Sequence, residues 1–470
     1  MKPDRPHILF ITTDQQRGDG LGSAGHPCLR TPHLDLLATE GVRFDRAYAD
    51  CPVCIPARTT MITGLHAHRY GMPNYAASHR IRRDRELFLG RLLTRAGYQT
   101  QLVGKTHWHL DPDDRGGFEH VLGYAALDRE CARRAGDRPR EGIGRNECSP
   151  ALSFVPPQLH STNWAVDRCL EFLEDRERRT PFFLWASFID PHPPTVIHEP
   201  YYSMYDGEEI PPPVRPAWAE GDGAPFAIRA LRAGNAHAHL TPRAARKVRG
   251  VYYGQITNID HQLGRLFGAL MRRGLWDDTV VVFTSDHGEH LGDYGTYFKS
   301  TFLDPVARVP FLVRAPKGLG LARGASTRAL VEHADLLPTF CELAGVEAPG
   351  DVSGTSLLPL LRGETSCAHG HLHGQIGAQH LFHDGRYKYL YFCDDGRELV
   401  FDKDADPMDE CDLSGDAALT ARLRGAFVEH LAAEGHADLR DGRLRNEGRT
   451  ALTDDIRTNV IGWMGLGAME

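Results

Sequence analysis

The stretch His7-Ile8-Leu9-Phe10-Ile11-Thr12-Thr13-Asp14-Gln15 decides the fold of this 470-residue chain. Its apolar, β-branched run with polar residues directly after it predicts a buried strand that ends at a polar edge. A second stretch of this kind, Thr279-Val280-Val281-Val282-Phe283-Thr284, runs into Ser285-Asp286-His287-Gly288. Such strands alternate with helical patterns, so the sequence predicts the α/β class: a mostly parallel sheet sandwiched by helices.

Capping, turn and periodicity signals mark the other elements of this domain. Further strands are predicted at 42–48, 98–103 and 182–188, and helices at 31–41, 56–63, 87–96, 161–176 and 242–273. Two stretches, 111–160 and 190–240, interrupt the alternation and are rich in Gly, charged residues or Pro. We interpret both as surface insertions that shape the mouth of a site.

From about residue 366 the pattern changes to hairpin-like strands followed by a helix near 416–434. This indicates a smaller antiparallel sheet plus helix packed on the main sheet. We therefore predict an α/β domain over 1–365, a C-terminal α+β subdomain over 366–445, and a tail over 446–470. The apolar end of the tail favours a contact in a homo-oligomer.

Composition excludes several classes of protein. The chain is 41% hydrophobic and 25% charged, which is ordinary globular composition and not that of a disordered chain. Its 54 Lys and Arg against 62 Asp and Glu give a net charge of −8 without a basic block, so no nucleic-acid partner is expected. No run of about 18 apolar residues exists, so no membrane span is expected. The start shows no secretory signal, which favours the cytoplasm and reduced thiols for the ten cysteines.

Cys51-Pro52-Val53-Cys54 is a CxxC that by itself indicates redox chemistry or zinc, but no second CxxC or nearby His pair completes a zinc site. Cys54 stands just before the predicted helix, and a helix N-terminus stabilises a thiolate or an anionic substrate. Arg58, one turn further on, can hold an oxyanion with two hydrogen bonds. The alternative is a buried structural Cys and a surface Arg.

Two further clusters follow predicted strands. Asp14 and Gln15 end the first strand, and Asp286 and His287 end the strand at 279–284. Ligand sites in such sheets gather at the carboxyl ends of the strands, so we expect these side chains to lie together. Their carboxylate and amide oxygens suit a hard divalent cation such as Ca²⁺, Mg²⁺ or Mn²⁺. The alternative is a helix cap at one place and a turn at the other.

Lys105 and His107 end the stretch from Gly97 to His107. If the strand continues through them, both side chains point to one side and can bind an anion. The alternative is a solvated strand end.

The motif Cys54-x-Pro56-x-Arg58 with Thr63-Gly64, followed by Gly97-Tyr98-x-Thr100 and Gly104-Lys105-x-His107, closely resembles the paired motifs of type I sulfatases. These enzymes belong to the alkaline phosphatase superfamily together with the phosphonate monoester hydrolases. Asp14, the stretch 285–288 and Asp384-Gly385-Arg386-Tyr387-Lys388-Tyr389 fit the same pattern, so the resemblance spans about residues 7–415. It implies an alkaline phosphatase-like fold and a sulfuric ester hydrolase.

The resemblance also implies a cofactor and roles for individual residues. A formylglycine-generating enzyme oxidises Cys54 to Cα-formylglycine, whose hydrated gem-diol attacks sulfur and then expels sulfate. One divalent metal is implied, with Ca²⁺ favoured and Mg²⁺ or Mn²⁺ open. The implied metal ligands are Asp14, Gln15, Cys54, Asp286 and His287. Among the implied catalytic residues, Arg58 supports the diol and His107 orients or deprotonates it. Lys105, Lys299 and His192 contact the sulfate oxygens, and His192 also acts as general acid. Asn74 is implied to contact the substrate.

Some positions depart from the common sulfatase pattern. Gln15 replaces a second Asp and His287 replaces an Asn, as in phosphonate monoester hydrolases and some bacterial sulfatases. Ile55 is larger than the residue usual after the modified Cys. Lys105 and His107 are not typical of phosphonate monoester hydrolases and favour a sulfate ester, either a small molecule or a saccharide. The alternatives are a phosphonate monoester or phosphodiester hydrolase with the same nucleophile, and a non-catalytic anion-binding homologue with unmodified Cys54.

Overall fold

A mixed eight-stranded sheet forms the centre of the protein in a computed structural model, which describes residues 5–75, 79–81, 83–111, 114–135, 147–235 and 240–452. The strands up to residue 332 are, in chain order, β1 His7–Asp14, β2 Val42–Tyr48, β3 Gln99–Gly104, β4 His120–Leu122, β5 Ala151–Leu152, β6 Phe182–Pro191, β7 Val196–Ile197, β8 Thr279–Ser285, β9 Phe311–Arg314 and β10 Ala325–Glu332. The order across the central sheet is β10-β2-β9-β8-β1-β6-β3-β4, while β5 and β7 pair separately. Strand β9 runs antiparallel to both of its neighbours, and the other pairs are parallel.

Helices cover both faces of this sheet. The described α-helices of the whole chain are α1 Pro32–Glu40, α2 Cys54–Thr63, α3 Leu89–Arg95, α4 Tyr124–Ala135, α5 Ser161–Asp175, α6 Phe226–Ala233, α7 Pro242–Arg272, α8 Asp304–Ala307, α9 Leu336–Leu343, α10 Leu358–Leu361 and α11 Ala417–Glu434. The alternation of side chains along β1 divides the core, because Phe10 packs with α2, α3 and α9 on one face and Ile11 packs with α5 and α7 on the other. The central strands are buried on both faces, which is why they read as continuous apolar runs.

A second, antiparallel sheet lies towards the C-terminus. Its strands are β11 Leu372–Ile376, β12 Gln379–His383, β13 Tyr387–Phe392 and β14 Arg397–Asp402, and a short hairpin follows with β15 Leu439–Arg440 and β16 Arg443–Leu444. Helix α11 packs on one face of this sheet, where Phe427 meets Tyr389, and the other face packs on the main domain, where Leu390 and Phe302 share a core.

Four buried charges join the second sheet to the main domain. Lys388 Nζ lies 2.5 Å from Asp304 Oδ1 and also contacts Asp409. Lys403 Nζ lies 2.7 Å from Asp409 Oδ1 and 3.2 Å from Asp304 Oδ2. All four side chains are at most 3% exposed. Two cations and two carboxylates therefore neutralise one another inside the interface.

The predicted fold class is confirmed: a mostly parallel sheet between helices and a smaller antiparallel sheet with a helix. The domain boundaries at 365 and 445 stay predictions, and of the tail 446–470 the part from 453 on lies outside the described residues. Among the helices that the structure describes, none has both the length and the apolar character needed to cross a bilayer. None of the ten cysteines, all of which lie within the described ranges, forms a disulfide.

Two expectations about the sheet were incomplete. Strands β9 and β10 were not predicted, because β9 has only four residues and the first half of β10 is largely exposed. The stretch 111–160 is not only an insertion, since it supplies β4 at the edge of the main sheet and helix α4. The stretch 190–240 packs beside α7, where Tyr205 and Ile210 are buried against Val248.

Candidate active site

The carboxyl ends of four adjacent strands, β8, β1, β6 and β3, form the edge where the candidate site lies. Asp14 is the last residue of β1 and pairs in register with Pro191 of β6, so His192 follows directly beside it. Asp286 comes next after β8, and its backbone N–H donates to the Thr13 carbonyl at 3.3 Å. The parallel topology therefore brings together residues that are far apart in the sequence.

Lys105 and His107 do not lie in a strand, so the prediction from strand alternation was wrong. Strand β3 ends at Gly104, whose φ is +105°, and His107 has a φ of 50° in the loop that follows. A Cβ at Gly104 would lie 1.9 Å from the Ser187 carbonyl oxygen, so only glycine allows this close approach to β6. The sharp turn sends the Lys105 side chain back onto Asp14, which its ammonium contacts directly.

Cys54 is the first residue of helix α2, which thus begins two residues earlier than predicted. Its side chain is buried, with 2% exposure. The Cys54 Sγ lies 3.0 Å from Lys299 Nζ, 3.2 Å from His287 Nε2 and 3.6 Å from Asp14 Oδ1. The helix N-terminus adds its own positive potential, so this environment favours negative charge on the atom attached to the Cys54 Cβ.

Arg58 lies one turn further along α2 and is fully buried. Its Nε donates to Asp286 Oδ2 at 2.7 Å, and its Nη2 lies 3.8 Å from Asp14 Oδ2. A further nitrogen donates to Ser187 Oγ at 2.8 Å. A guanidinium with several fixed partners therefore holds the two carboxylates in place, which excludes the alternative of a surface Arg.

The donor groups beside Cys54 fit a divalent cation. The ligand atoms of Asp14, Cys54, Asp286 and His287 all lie within 4.8 Å of one another, and all four residues are buried. Gln15 is held close to them because its backbone N–H donates to Asp286 Oδ1 at 3.1 Å. Two carboxylates and an amide oxygen suit a hard cation, and two carboxylates this close are stabilised by one.

Charges around Cys54 set the protonation states of the site. Burial by itself would raise the pKa of the Cys54 thiol, but Lys105, Lys299 and His287 hold that pKa well below its ordinary value. Burial and the Cys54 charge likewise oppose ionisation of Asp14, and Lys105 and Lys299 outweigh them and lower its pKa. In Cys51, by contrast, burial and then Asp50 raise the pKa well above the ordinary value. The two cysteines of the CxxC thus differ in character.

His107 and His192 are the two predicted proton-transfer residues, and each has its own surroundings. Burial and then Lys105 lower the pKa of His107, which forms a side-chain hydrogen bond with Cys54. His192 is partly buried, and its Nδ1 lies 2.6 Å from the Pro193 carbonyl oxygen. That contact places a proton on Nδ1 and leaves Nε2 to exchange one.

Asn74 lies on an exposed loop, and its side chain accepts a hydrogen bond from the Tyr75 backbone N–H at 2.7 Å. The Tyr75 ring lies 6.1 Å from the His107 ring, between centroids. Asn74 is thus near the rim of the site, and the structure does not bring it into the group around Cys54.

The comparison with known protein families agrees with this arrangement. The profile described as Sulfatase matches residues 6–346, well over half of the chain. The chain belongs to the sulfatase family. A second profile, described as N-sulphoglucosamine sulphohydrolase, C-terminal, matches residues 292–433 of this sulfatase. The predicted membership and the predicted activity class, a sulfuric ester hydrolase, are confirmed.

Individual relatives cover almost the whole sulfatase. The arylsulfatase of Clostridium perfringens is 30% identical and covers 92% of this chain and 96% of its own length. The multifunctional alkaline phosphatase superfamily protein PehA of Trinickia caryophylli is 31% identical with the same coverage of both chains. The crystal structure of the phosphonate monoester hydrolase of Agrobacterium radiobacter has a TM-score of 0.75 at 26% identity, covering 92% of this chain and 96% of that one.

Two residues of the sulfatase site were missed in the sequence. Glu289 is buried, contacts the Gln15 amide nitrogen, and accepts the Leu291 backbone N–H at 2.9 Å. Ser187 links Arg58 to the Lys105 carbonyl, which its hydroxyl reaches at 2.6 Å. Glu289 directly follows Asp286-His287-Gly288 and could have been included with that motif, whereas Ser187 lies within an apolar strand and gave no signal.

Proposed function

We propose that this sulfatase hydrolyses a small-molecule or saccharide sulfate ester to an alcohol and inorganic sulfate, with formylglycine formed from Cys54 as its nucleophile. The observation that carries the proposal is the position of Cys54, buried at a helix N-terminus between Lys299 and His287. A thiol has no need of this setting in a structural role, because burial alone stabilises its protonated form. Negative charge that develops at this point is stabilised on several sides.

Hydration of the formylglycine aldehyde gives a carbon with two hydroxyl groups. One hydroxyl gives its proton to water, and its oxygen forms a bond to sulfur while the bond from sulfur to the alcohol oxygen breaks. Lys299 Nζ lies 3.0 Å from Cys54 Sγ and the Lys105 ammonium contacts Asp14 beside it, so both lysines are placed to hold the sulfuryl oxygens through this step. Arg58 keeps Asp286 in place beside the reacting carbon.

Two histidines move the protons. His192 lies beside Asp14 at the end of β6 and gives the leaving alcohol its proton from Nε2. His107 then takes the proton of the second hydroxyl, the carbonyl re-forms, and the bond from carbon to the sulfate oxygen breaks. Because burial and Lys105 lower the pKa of His107, it is neutral and ready to accept that proton. Water adds to the aldehyde and closes the cycle.

Asp14, Gln15, Asp286 and His287 are the residues that would hold a divalent metal next to the diol. When bound, such a cation lowers the pKa of a hydroxyl and neutralises charge on the sulfate. The oxygen-rich set favours Ca²⁺, with Mg²⁺ and Mn²⁺ as alternatives.

A second candidate activity is the hydrolysis of phosphonate monoesters with the same nucleophile. The likeness to the Agrobacterium radiobacter phosphonate monoester hydrolase, at a TM-score of 0.75, favours it. Lys105 and His107 beside Cys54 favour the sulfate ester. The ratio of kcat/KM for 4-nitrophenyl sulfate to that for a 4-nitrophenyl phosphonate decides between them.

The test begins with co-expression of the chain and a formylglycine-generating enzyme. Conversion of Cys54 lowers the intact mass by about 18 Da, and hydration restores it. We expect that mass change together with release of 4-nitrophenol from the sulfate ester. A spectrum with only the thiol form and no turnover would instead support a non-catalytic anion-binding homologue. Protein that turns over the ester with an unmodified thiol would exclude the diol.

A further inference from the structure

A second cluster of metal-ligating side chains lies outside the active site. Its possible ligands are His68 in the loop after α2, His373 on β11 and Glu434 on α11, and His430 contacts Glu434 from the same helix. His68 and Glu434 also line a cavity of about 590 Å³ between these segments. We refer to the four residues as the histidine cluster.

Three imidazole nitrogens of the histidine cluster surround one carboxylate oxygen. Glu434 Oε2 lies 3.4 Å from His68 Nε2, 3.5 Å from His373 Nδ1 and 3.3 Å from His430 Nε2. In the described part of the chain, none of these three nitrogens has a hydrogen-bond partner. The His68 and His373 side chains are only 10% and 1% exposed. Each of these nitrogens has its ion-pair contact with Glu434 but no hydrogen bond, and buried polar atoms without a hydrogen bond are costly, so their position around one carboxylate oxygen indicates a missing ligand.

The spacing of these atoms fits a metal better than direct hydrogen bonds. An N–H···O hydrogen bond measures about 2.7–3.2 Å, shorter than all three contacts. A tetrahedral zinc with bonds of about 2.0–2.1 Å separates its ligand atoms by about 3.3 Å. The ligand atoms of His68, His373 and Glu434 lie within 4.8 Å of one another. His430 and Glu434, four residues apart on α11, share one helix face.

We propose that the histidine cluster binds one Zn²⁺ through His68 Nε2, His373 Nδ1 and Glu434 Oε2, with His430 beside Glu434 on the same helix. Imidazole nitrogen is a preferred ligand of zinc and its neighbours among the transition metals. The site differs in chemistry from the oxygen-rich set around Asp14. The Glu434 side chain is 29% exposed, so a metal ion can reach the cluster from solvent on this side.

Hydrogen bonds behind the cluster already fix the ring of His373. Its Nε2 lies 3.2 Å from His380 Nδ1, and His380 Nε2 lies 3.0 Å from Asp438 Oδ2. Such a chain, ending on a carboxylate, is the support that metal-binding imidazoles have in proteins. His436 has partners at both nitrogens, the Gln375 side chain at 3.1 Å and the Asp438 backbone N–H at 3.2 Å, and is not needed as a ligand.

The zinc has a structural consequence. His68 follows the helix that begins at Cys54, whereas His373 and Glu434 belong to the C-terminal sheet and its helix. A metal at the cluster ties these segments together, and zinc binding stabilises the folded state because the unfolded chain lacks the site.

The test compares zinc content in matched full-length variants. EDTA-treated protein is dialysed against Zn²⁺, and bound metal is measured by elemental mass spectrometry. Glu434→Gln and His68→Gln are each expected to bind one equivalent less than the wild type and to lose the zinc-dependent rise in melting temperature. Glu429→Gln, an exposed change on the same helix, is the control and keeps both. Any zinc bound at the active site is present in the wild type and in all variants alike, so it does not change the difference in zinc content between them.

Two further measurements keep the proposal falsifiable if one variant does not fold. Asp438→Asn removes the carboxylate behind His380 and is expected to weaken zinc binding about 10- to 100-fold. Co²⁺ in the wild-type protein is expected to give a tetrahedral visible spectrum that Glu434→Gln lacks. Equal zinc content in wild type, Glu434→Gln and His68→Gln, or the absence of this spectral difference, overturns the proposal.

Discussion

Replacement of Lys299 by methionine removes a buried cation that faces the reacting residue. Lys299 Nζ lies 3.0 Å from Cys54 Sγ, so a sulfuryl oxygen one bond further away lies about 4 Å from this charge. At an effective dielectric constant of about 20, two unit charges at 4 Å interact by about 4 kcal/mol. Each 1.36 kcal/mol corresponds to about a factor of ten in rate, so removal of this charge is expected to lower the rate by at most about 10³-fold. Loss of one donor to developing charge costs about 10²- to 10³-fold in measured cases. We expect Lys299→Met to lower kcat/KM for 4-nitrophenyl sulfate by about 10²- to 10³-fold.

The assay for this variant uses protein whose conversion at position 54 is verified by intact mass, because Lys299 also contacts that residue. Lys317→Met, an exposed lysine in the same domain, is the matched control and keeps wild-type activity. Lys299→Arg retains the charge and is expected to recover part of the loss. A fully converted Lys299→Met protein whose kcat/KM stays within tenfold of the wild type would refute the assignment of Lys299 to the sulfuryl oxygens.

Four more predictions concern maturation, metal, turnover and pH. Cys54→Ser is expected to release alcohol once and then stop, with steady turnover at least about 10³-fold lower than in the wild type. The reason is that a sulfate ester on serine has no second hydroxyl on the same carbon to expel the sulfate. Sustained turnover would contradict the diol mechanism. Chelation is expected to abolish activity on the sulfate ester, and titration with Ca²⁺, Mg²⁺ and Mn²⁺ to restore it; undiminished turnover in metal-free protein speaks against a metal among the donors. Because Cys54 is only 2% exposed, folded thiol-form protein is expected to resist a formylglycine-generating enzyme that converts a peptide of residues 51–64; efficient conversion of the folded chain would show the opposite. Burial and then Arg176 lower the pKa of His7 to about 4, so the stability that neutral His7 provides is present above about pH 6.5 and is lost as the pH falls towards 4. His7→Gln is expected to remove up to about 3 kcal/mol of this acid-induced loss in unfolding titrations, and an unchanged pH profile would disprove it.

The sequence predicted which edge of the sheet carries the candidate metal ligands, and it did so for a sound physical reason. Asp14 and Asp286 each follow an apolar run, and the parallel order of β1 and β8 brings the ends of such runs together. Lys105 and His107 lie at the same site, as predicted, although the argument from strand alternation was wrong. Their approach depends on the backbone turn at Gly104, which no periodicity describes.

Other contacts depend on tertiary structure that local patterns do not carry. Ser187 sits in an apolar strand, and its role comes only from Arg58 reaching it across the sheet. The histidine cluster joins His68, His373 and Glu434, which lie on a loop, a strand and a helix. Strand β9 was missed because four residues show too little alternation to predict a strand.

The ion cluster of Lys388, Lys403, Asp304 and Asp409 has a consequence for protein engineering. Asp304 begins helix α8 in the main domain, whereas its lysine partners come from the second sheet and the loop that follows it. A chimera that exchanges the C-terminal unit with that of another sulfatase would leave the buried Asp304 carboxylate with Arg308, 3.2 Å away in its own domain, as a counter-ion but without its two lysine partners, unless the incoming piece also supplies two ammonium groups. Domain exchanges in this family therefore need to treat residue 304 as belonging to the C-terminal unit, although it lies well before a fusion point near residue 365.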